Sequence, residues 1–204
     1  MTQVFHIHPD NPQLRLVRHA VEIIQNGGIV AYPTDSAYAL GCHIGDKGAL
    51  DKIRQIRELD KNHNFTLMCR DLSELGAYAL VNNSTFRLLK SNTPGPFTFI
   101  LQATKQVPRR LQNPKRKTVG LRIPDNNIAM AILEELGEPM MSVTLILPGD
   151  DMPLSDPELI YDKLKNRIDL VIDGGPCSLE PTTIVDFQNN EPIVTREGRG
   201  LFKE

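Results

Sequence analysis

Gly27-Gly28-Ile29-Val30-Ala31-Tyr32-Pro33-Thr34-Asp35-Ser36 is the stretch whose reading decides the fold. Ile29 to Tyr32 is continuously apolar and too short for a helix, so it reads as a buried strand. Pro33 lacks the amide hydrogen that a ladder needs, and Thr34-Asp35-Ser36 therefore opens a loop at the strand's end. Upstream, Leu14, Leu16, Val17, Ala20, Val21, Ile23 and Ile24 recur at helical spacing, with Asn11 as the expected cap, Pro12 at the first position and Gly27 as the stop. A helix that feeds a buried strand is the repeating unit of a helix-flanked sheet.

The same alternation continues along the chain. Asp46 should cap a helix carrying Ala49, Leu50, Ile53 and Ile56, followed by a buried strand over Phe65 to Cys69. Asp71-Leu72-Ser73-Glu74 has the form of a capping box with Asp in the Ser/Thr place, and Ser155-Asp156-Pro157-Glu158 opens a helix to about Lys165. Asn126 to Leu136 places Ile128, Ile132, Leu133 and Leu136 on one face and stops at Gly137. Further strands are expected at Thr98 to Ala103, Thr118 to Ile123, Met140 to Leu147, Asp169 to Ile172, Thr183 to Phe187 and Pro192 to Thr195. Consecutive C-terminal strands lack crossover helices, so the expectation is α/β (α+β), a single twisted open mixed sheet of about eight strands in one domain over residues 1–204.

Composition narrows the class. With 204 residues, 40% of them hydrophobic and 24% charged, the chain can bury a substantial core without disulfides or metals. A net charge of −2 means that any affinity for nucleic acid must come from a local patch. Cys42, Cys69 and Cys177 are odd in number, far apart and without a Cys-x-x-Cys pair, which argues against a disulfide framework and a structural zinc site. The first residues carry His6, His8, Pro9 and Asp10 in place of a basic and then apolar leader, and no 18-residue apolar run occurs. The expectation is a cytoplasmic protein without a membrane partner.

No P-loop, no Gly-x-Gly-x-x-Gly and no Gly-x-Ser-x-Gly elbow is present. Ser36 reads as a turn residue, because no base is placed beside it by sequence. His63 lies in the polar stretch Asp60 to Asn64 between a helix and a strand, where a ligand-facing and a plain surface role are both open. Cys42-His43 lacks the further spaced ligands of a metal site. From Lys105 to Lys117 the chain carries Lys105, Arg109, Arg110, Lys115, Arg116 and Lys117 with no acid. This segment is either a solvated hairpin tip or a phosphate-contacting patch. With no Trp and 5% aromatics, base stacking is poorly provided for, so backbone and shape contacts to duplex RNA would suit it better.

Several motifs in one order resemble the YrdC/YciO family, the threonylcarbamoyl-adenylate synthase fold. Pro33-Thr34-Asp35-Ser36-Ala37-Tyr38-Ala39-Leu40-Gly41 is similar to its Pro-Thr-Asp/Glu-x-x-Tyr/Phe-Gly-Leu-Gly signature, and Pro94-Gly95-Pro96-Phe97-Thr98 to its Pro-Gly-Pro-x-Thr turn. Arg122-Ile123-Pro124, Asp173-Gly174-Gly175, Thr182-Thr183-Ile184-Val185-Asp186 and Arg196-Glu197-Gly198 follow in the family's order over about residues 15 to 200. His63-Asn64-Phe65-Thr66-Leu67-Met68-Cys69-Arg70-Asp71-Leu72 looks most like the YciO branch.

The resemblance implies a nucleotide-holding, positively charged concave face associated with double-stranded RNA or tRNA. It also implies an activity, condensation of L-threonine, bicarbonate and ATP, with magnesium, into threonylcarbamoyl-AMP for tRNA modification. Carried over by residue, Thr34, Ser142 and Thr182 would lie near the threonyl part, Arg122 near its carboxylate, and Thr118 and Arg196 near the adenylate. Two departures set this chain apart. The synthases' Lys-x-Arg falls on Arg57-Glu58-Leu59 and their Ser-x-Asn on Thr144-Leu145-Ile146, while Lys52-Ile53-Arg54 lies too early, within an apolar-periodic helix. Two charge-assisted interactions of about 1.5 to 3 kcal/mol each would be missing, on the order of 10² to 10⁴ in rate if both act in the chemical step.

The expectation is therefore an adenine-nucleotide or duplex-RNA binder with a weakened triphosphate end. Its rivals are a synthase that uses Arg57 and Thr144 as substitutes, and a hydrolase of threonylcarbamoyl-AMP in which His63 or Asp35 directs water.

Overall fold

The computed structural model describes residues 1–60, 62–188 and 191–204. Lys61, in the polar stretch Asp60 to Asn64, lies outside the described residues. In chain order the elements are β1 (Gln3–His6), α1 (Leu14–Gln25), β2 (Val30–Tyr32), β3 (Ala39–His43), α2 (Lys47–Arg57), β4 (Thr66–Met68), α3 (Leu72–Tyr78), α4 (Asn83–Asn92) and β5 (Phe97–Gln102). A 3-10 turn at Arg109–Leu111 precedes β6 (Thr118–Arg122), α5 (Asn127–Leu136), β7 (Met140–Thr144), α6 (Pro157–Leu164), β8 (Leu170–Asp173), β9 (Thr183–Gln188) and β10 (Glu191–Arg196).

The strands form one mixed sheet in the order β1-β8-β2-β3-β7-β4-β6-β5-β9-β10. Parallel pairing joins β1 to β8, β2 to β8, β4 to β6 and β5 to β9; the other neighbours are antiparallel. The expected single mixed sheet flanked by helices is what the chain forms, with ten strands instead of about eight. β3 is not among the predicted strands: Ala39 to Cys42 is buried on both faces and shows no alternation. β1 is an exposed edge strand without an apolar run.

Alternation along the strands builds two cores. Ala31, Leu40, Leu67, Val171 and Val143 face α2, α3, α4 and α6. Val30, Tyr32, Met68, Met140 and Ile172 face α1 and α5 on the other side. This second layer covers the sheet from β1 to the near ends of β7 and β4 and stops there. Beyond Met68 and Met140, the positions of the same parity are Thr66 and Ser142, and on the next strands Thr98, Ile100, Ile184 and Asp186. No helix covers them, and a cleft opens there.

Two expected caps hold, the side chains of Asp46 and Asp71 accepting from the backbone N–H of Ala49 and Glu74, and Asn126 caps the fifth helix by accepting from Ala129 N–H. Two do not. The first helix begins at Leu14 with Gln13 as an N-cap that makes no side-chain bond, because Asp10 and Asn11 donate to the His8 ring and form a turn of their own. At the sixth helix Asp156, not Ser155, accepts from Glu158 N–H at 2.9 Å, with Pro157 in the first turn. The fourth helix, Asn83–Asn92, is polar around most of its surface and was not anticipated. None of the helices described is long and apolar enough to cross a membrane.

Candidate functional site

The uncovered half of the sheet face holds a cleft of about 510 Å³. Its floor is hydroxyl-rich: Thr66 from β4, Thr98 from β5, Ser142 and Thr144 from β7, and Thr182 just before β9. Gly120 keeps the floor open, since a Cβ there would stand 3.0 Å from the Thr66 hydroxyl oxygen and 3.2 Å from the Phe65 carbonyl oxygen. Burial has been satisfied in pairs. The Thr98 and Thr182 hydroxyls are 2.8 Å apart, and Tyr32 Oη lies 2.6 Å from Ser142 Oγ. Desolvation pushes the Tyr32 phenol up to about 12, so it stays a neutral partner.

Two arginines line the cleft. Arg57 ends α2, where Glu58 turns the chain with a left-handed φ of 50°. It donates from Nη1 to the Ile146 carbonyl, while its buried Nε has no partner among the described residues. Arg196, at the end of β10, donates from Nε and Nη2 to the Thr182 carbonyl at 3.0 and 2.8 Å and from Nη2 to the Thr182 hydroxyl at 3.0 Å. Among the described residues neither arginine forms an ion pair. Burial lowers the pKa of both, and at Arg196 the charge of Arg122 adds to the effect. Two cations on one cavity, Arg57 partly buried and Arg196 exposed at its mouth, favour an anion.

Arg122 sits deeper. It lines a chamber of about 30 Å³ behind the cleft, together with Ala37, Ala39 and the shared hydroxyls. Its Nη2 pairs with Asp35 and lies 3.3 Å from Thr34 Oγ1, and its buried Nε is left without a partner among the described residues. The other Asp35 oxygen accepts from Asp125 N–H at 2.9 Å, so both oxygens of this buried carboxylate are engaged. Asp35 is thus a structural counter-ion and is poorly placed to direct water. Thr34 donates to the Ala37 carbonyl and accepts from Ser36 N–H, which makes Ser36 part of a tight turn.

His63 lines the cleft, its ring edge-on to Phe65 with centroids 5.6 Å apart. Burial, then the nearby Arg57 charge, lowers its pKa. Ile146 lines the cleft as well, but Leu59 packs against the main core and stays out of it. Of the two aliphatic replacements in the family's motifs, only Ile146 faces the cavity. Thr118 shares the sheet face yet lies outside the residues that line the cleft. Arg54 is occupied elsewhere, over the Phe65 ring at 5.1 Å.

The basic segment is the long connection of the β5–β6 hairpin, as one of its two readings expected, but it is anchored, since Val107 and Leu111 are buried. Two of its six cations are committed. Arg116 grips Asp186 with two 2.7 Å bonds, and Arg110 donates to the Gly45 and Ile44 carbonyls. Lys105, Arg109, Lys115 and Lys117 remain exposed. Asn113 also bonds Asn64 on the cleft rim at 3.2 Å, so loop and cleft are joined.

Cys42 is buried, with its thiol pushed up to about 12 by burial, and His43 pairs with Glu138 at 2.6 Å. No group of three His, Cys, Asp or Glu side chains among the described residues is arranged to hold a metal ion. Sequence reasoning missed Thr66, Thr98 and Asp186. The signal was thin: Thr66, Thr98 and Asp186 share their strand faces with the apolar Met68, Ile100 and Ile184, so no regular alternation marks the face.

The Sua5/YciO/YrdC family model, described as telomere recombination, matches residues 22–198. YciO of Escherichia coli (strain K12) is 58% identical over 203 residues, which is 100% of this chain and 98% of that protein, and its crystal structure superposes with a TM-score of 0.96. A putative threonylcarbamoyl-AMP synthase from Methanocaldococcus jannaschii is 30% identical over 177 residues, 86% of this chain and 82% of that protein. The crystal structure of P. abyssi Sua5 complexed with L-threonine shares the fold at a TM-score of 0.88 and 23% identity, covering 97% of this chain and 58% of that one. Motif order, sheet topology and these similarities converge: the chain belongs to the Sua5/YciO/YrdC family, the family of threonylcarbamoyl-AMP synthase relatives.

Proposed function

We propose that this chain binds an adenylate-type ligand, AMP or threonylcarbamoyl-AMP, in the hydroxyl-floored cleft and is a poor synthase of threonylcarbamoyl-AMP from ATP. One observation carries the reading. Arg57, partly buried, and Arg196, at the exposed mouth, line one cavity without a carboxylate partner among the described residues, so a bound phosphate would supply the missing charge. The hydroxyls of Thr66, Thr98, Ser142, Thr144 and Thr182 would serve uncharged oxygens of the same ligand. Ile146 supports the second half of the proposal, because an aliphatic wall beside Arg57 offers nothing to outer phosphates.

Magnesium fits only as a passenger on the ligand. The carboxylates that line the cleft are Asp60 and Asp186, and Asp186 is held by Arg116.

Calorimetric titration with AMP, threonylcarbamoyl-AMP and ATP tests the binding, and threonine- and bicarbonate-dependent pyrophosphate release tests the chemistry. Saturable binding of the two monophosphates with little pyrophosphate is expected. Turnover of ATP at rates typical of working synthases would instead favour the reading in which Arg57 and Thr144 substitute for the family's lysine and serine. A hydrolase reading keeps His63 as its water-directing group, because its imidazole is neutral near pH 7 and lines the cleft. RNA binding rests on a separate observation, the four exposed cations of the loop that Asn113 and Arg116 fasten to the cleft rim.

A further inference from the structure

We propose that Asp186 reads a neutral hydrogen-bond donor on the nucleoside part of the ligand, the exocyclic amine of the base or a ribose hydroxyl, while Arg196 takes the phosphate. This rests on the adenylate reading above. Thr182, Ile184 and Asp186 follow one another at every second position and all line the cleft. Thr98 and Ile100 of β5 stand opposite Ile184 and Asp186 in the register and line it too. Arg196 folds its guanidinium over Thr182. The wall is therefore a strip with a cationic end, an apolar middle and a carboxylate end. Four residues of strand at about 3.3 Å each separate the ends by roughly 13 Å, a span comparable to a nucleoside monophosphate from its phosphate to the far edge of its base.

Asp186 is an odd residue to find in such a wall. It is only 5% exposed, and a bare carboxylate would repel the anion that Arg57 and Arg196 attract. Arg116 removes that conflict from outside the cleft, one guanidinium nitrogen on each oxygen at 2.7 Å. An ionised carboxylate has about four acceptor sites and Arg116 fills two. The neighbours Ile100 and Ile184 cannot use the others. What remains is a charge-neutralised acceptor at the far end of an anion-seeking cleft, which suits a donor and penalises an acceptor placed there.

Calorimetry of the intact protein with AMP, IMP and 2′-deoxy-AMP separates the two donor sources. The wild type is expected to bind one of the two analogues on the order of tenfold or more weaker than AMP, IMP if the amine is read and 2′-deoxy-AMP if the ribose is. Asp186→Asn should erase that preference chiefly by weakening AMP. Should this variant not fold, Arg116→Met leaves the carboxylate unclamped. All three ligands should then weaken while the preference holds or widens, and a ratio that falls to one would overturn the proposal. Equal affinity of the wild type for all three, or a common factor lost in Asp186→Asn, would reduce Asp186 to a loop anchor. Binding of none of the three would overturn the adenylate reading and this inference with it.

Discussion

Arg57 and Arg196 reach the same cavity from α2 and β10, and neither is in an ion pair with a described residue. Replacing either by alanine should weaken AMP by roughly 10- to 100-fold, the size of a lost charge-assisted contact, with little change in the urea midpoint. Arg122 should behave in the opposite way. Its pair with Asp35 is buried on both sides, so Arg122→Met or Asp35→Asn leaves an uncompensated charge and should cost about 3 to 5 kcal/mol of stability in denaturant titrations. A loss below about 1 kcal/mol would mean that water already reaches the pair. At His63 the sign of the pH effect follows from its lowered pKa. The unfolded imidazole titrates near 6.5 and the folded one lower, so the unfolded chain binds more protons between those values. Its contribution is complete above about 6.5 and falls away as pH drops to the folded value. An NMR titration of the His63 ring should place its midpoint below 6.5, moving upward when a phosphate binds; a midpoint at or above 6.5 in the free protein would remove the neutral-base role.

Elements make the cleft by what they leave out. β4, β5 and β9 bury Leu67, Phe99 and Val185 against one helical layer and turn Thr66, Thr98 and Asp186 to a face without helices. At Gly120 of β6 an added Cβ would already stand 3.0 Å from the Thr66 hydroxyl oxygen, so Gly120→Val should fill the floor beside Thr66. The expected result is loss of AMP binding with about 1 to 3 kcal/mol of destabilisation from overpacking, checked by calorimetry and a urea curve on the same sample. Unchanged affinity would place the ligand away from this floor. Most elements were legible in the sequence because apolar periodicity and caps such as Asp46 and Asp71 act locally. β1 and β3 were not, one lying exposed at an edge and the other buried on both faces, so neither alternates. Within the site, Arg57, His63, Ser142, Thr144, Thr182 and Arg196 of the expected residues line one cavity. The commitment of Asp35 to Arg122, and of Arg116 to Asp186, joins residues about 70 to 90 apart in sequence, which no local pattern encodes.

For the molecule as a whole, the net charge of −2 sets a repulsive background for polyanions, against which four exposed cations of one loop stand out. If duplex RNA engages Lys105, Arg109, Lys115 and Lys117, the logarithm of affinity should fall with log salt at a slope of roughly −3 to −4. Reversing Lys115 and Lys117 to glutamate should remove most of the binding and leave AMP affinity nearly intact. A salt-independent complex, or one unmoved by the reversal, would put the contact elsewhere.

Helices α1 and α5 roof only part of their side of the sheet, so folding and chemistry are assigned to different territory. The two oily interiors can hold the architecture while the hydroxyl floor is rewritten one side chain at a time. Such a scaffold lets descendants exchange guests, or retire a reaction altogether, without renegotiating how the chain collapses.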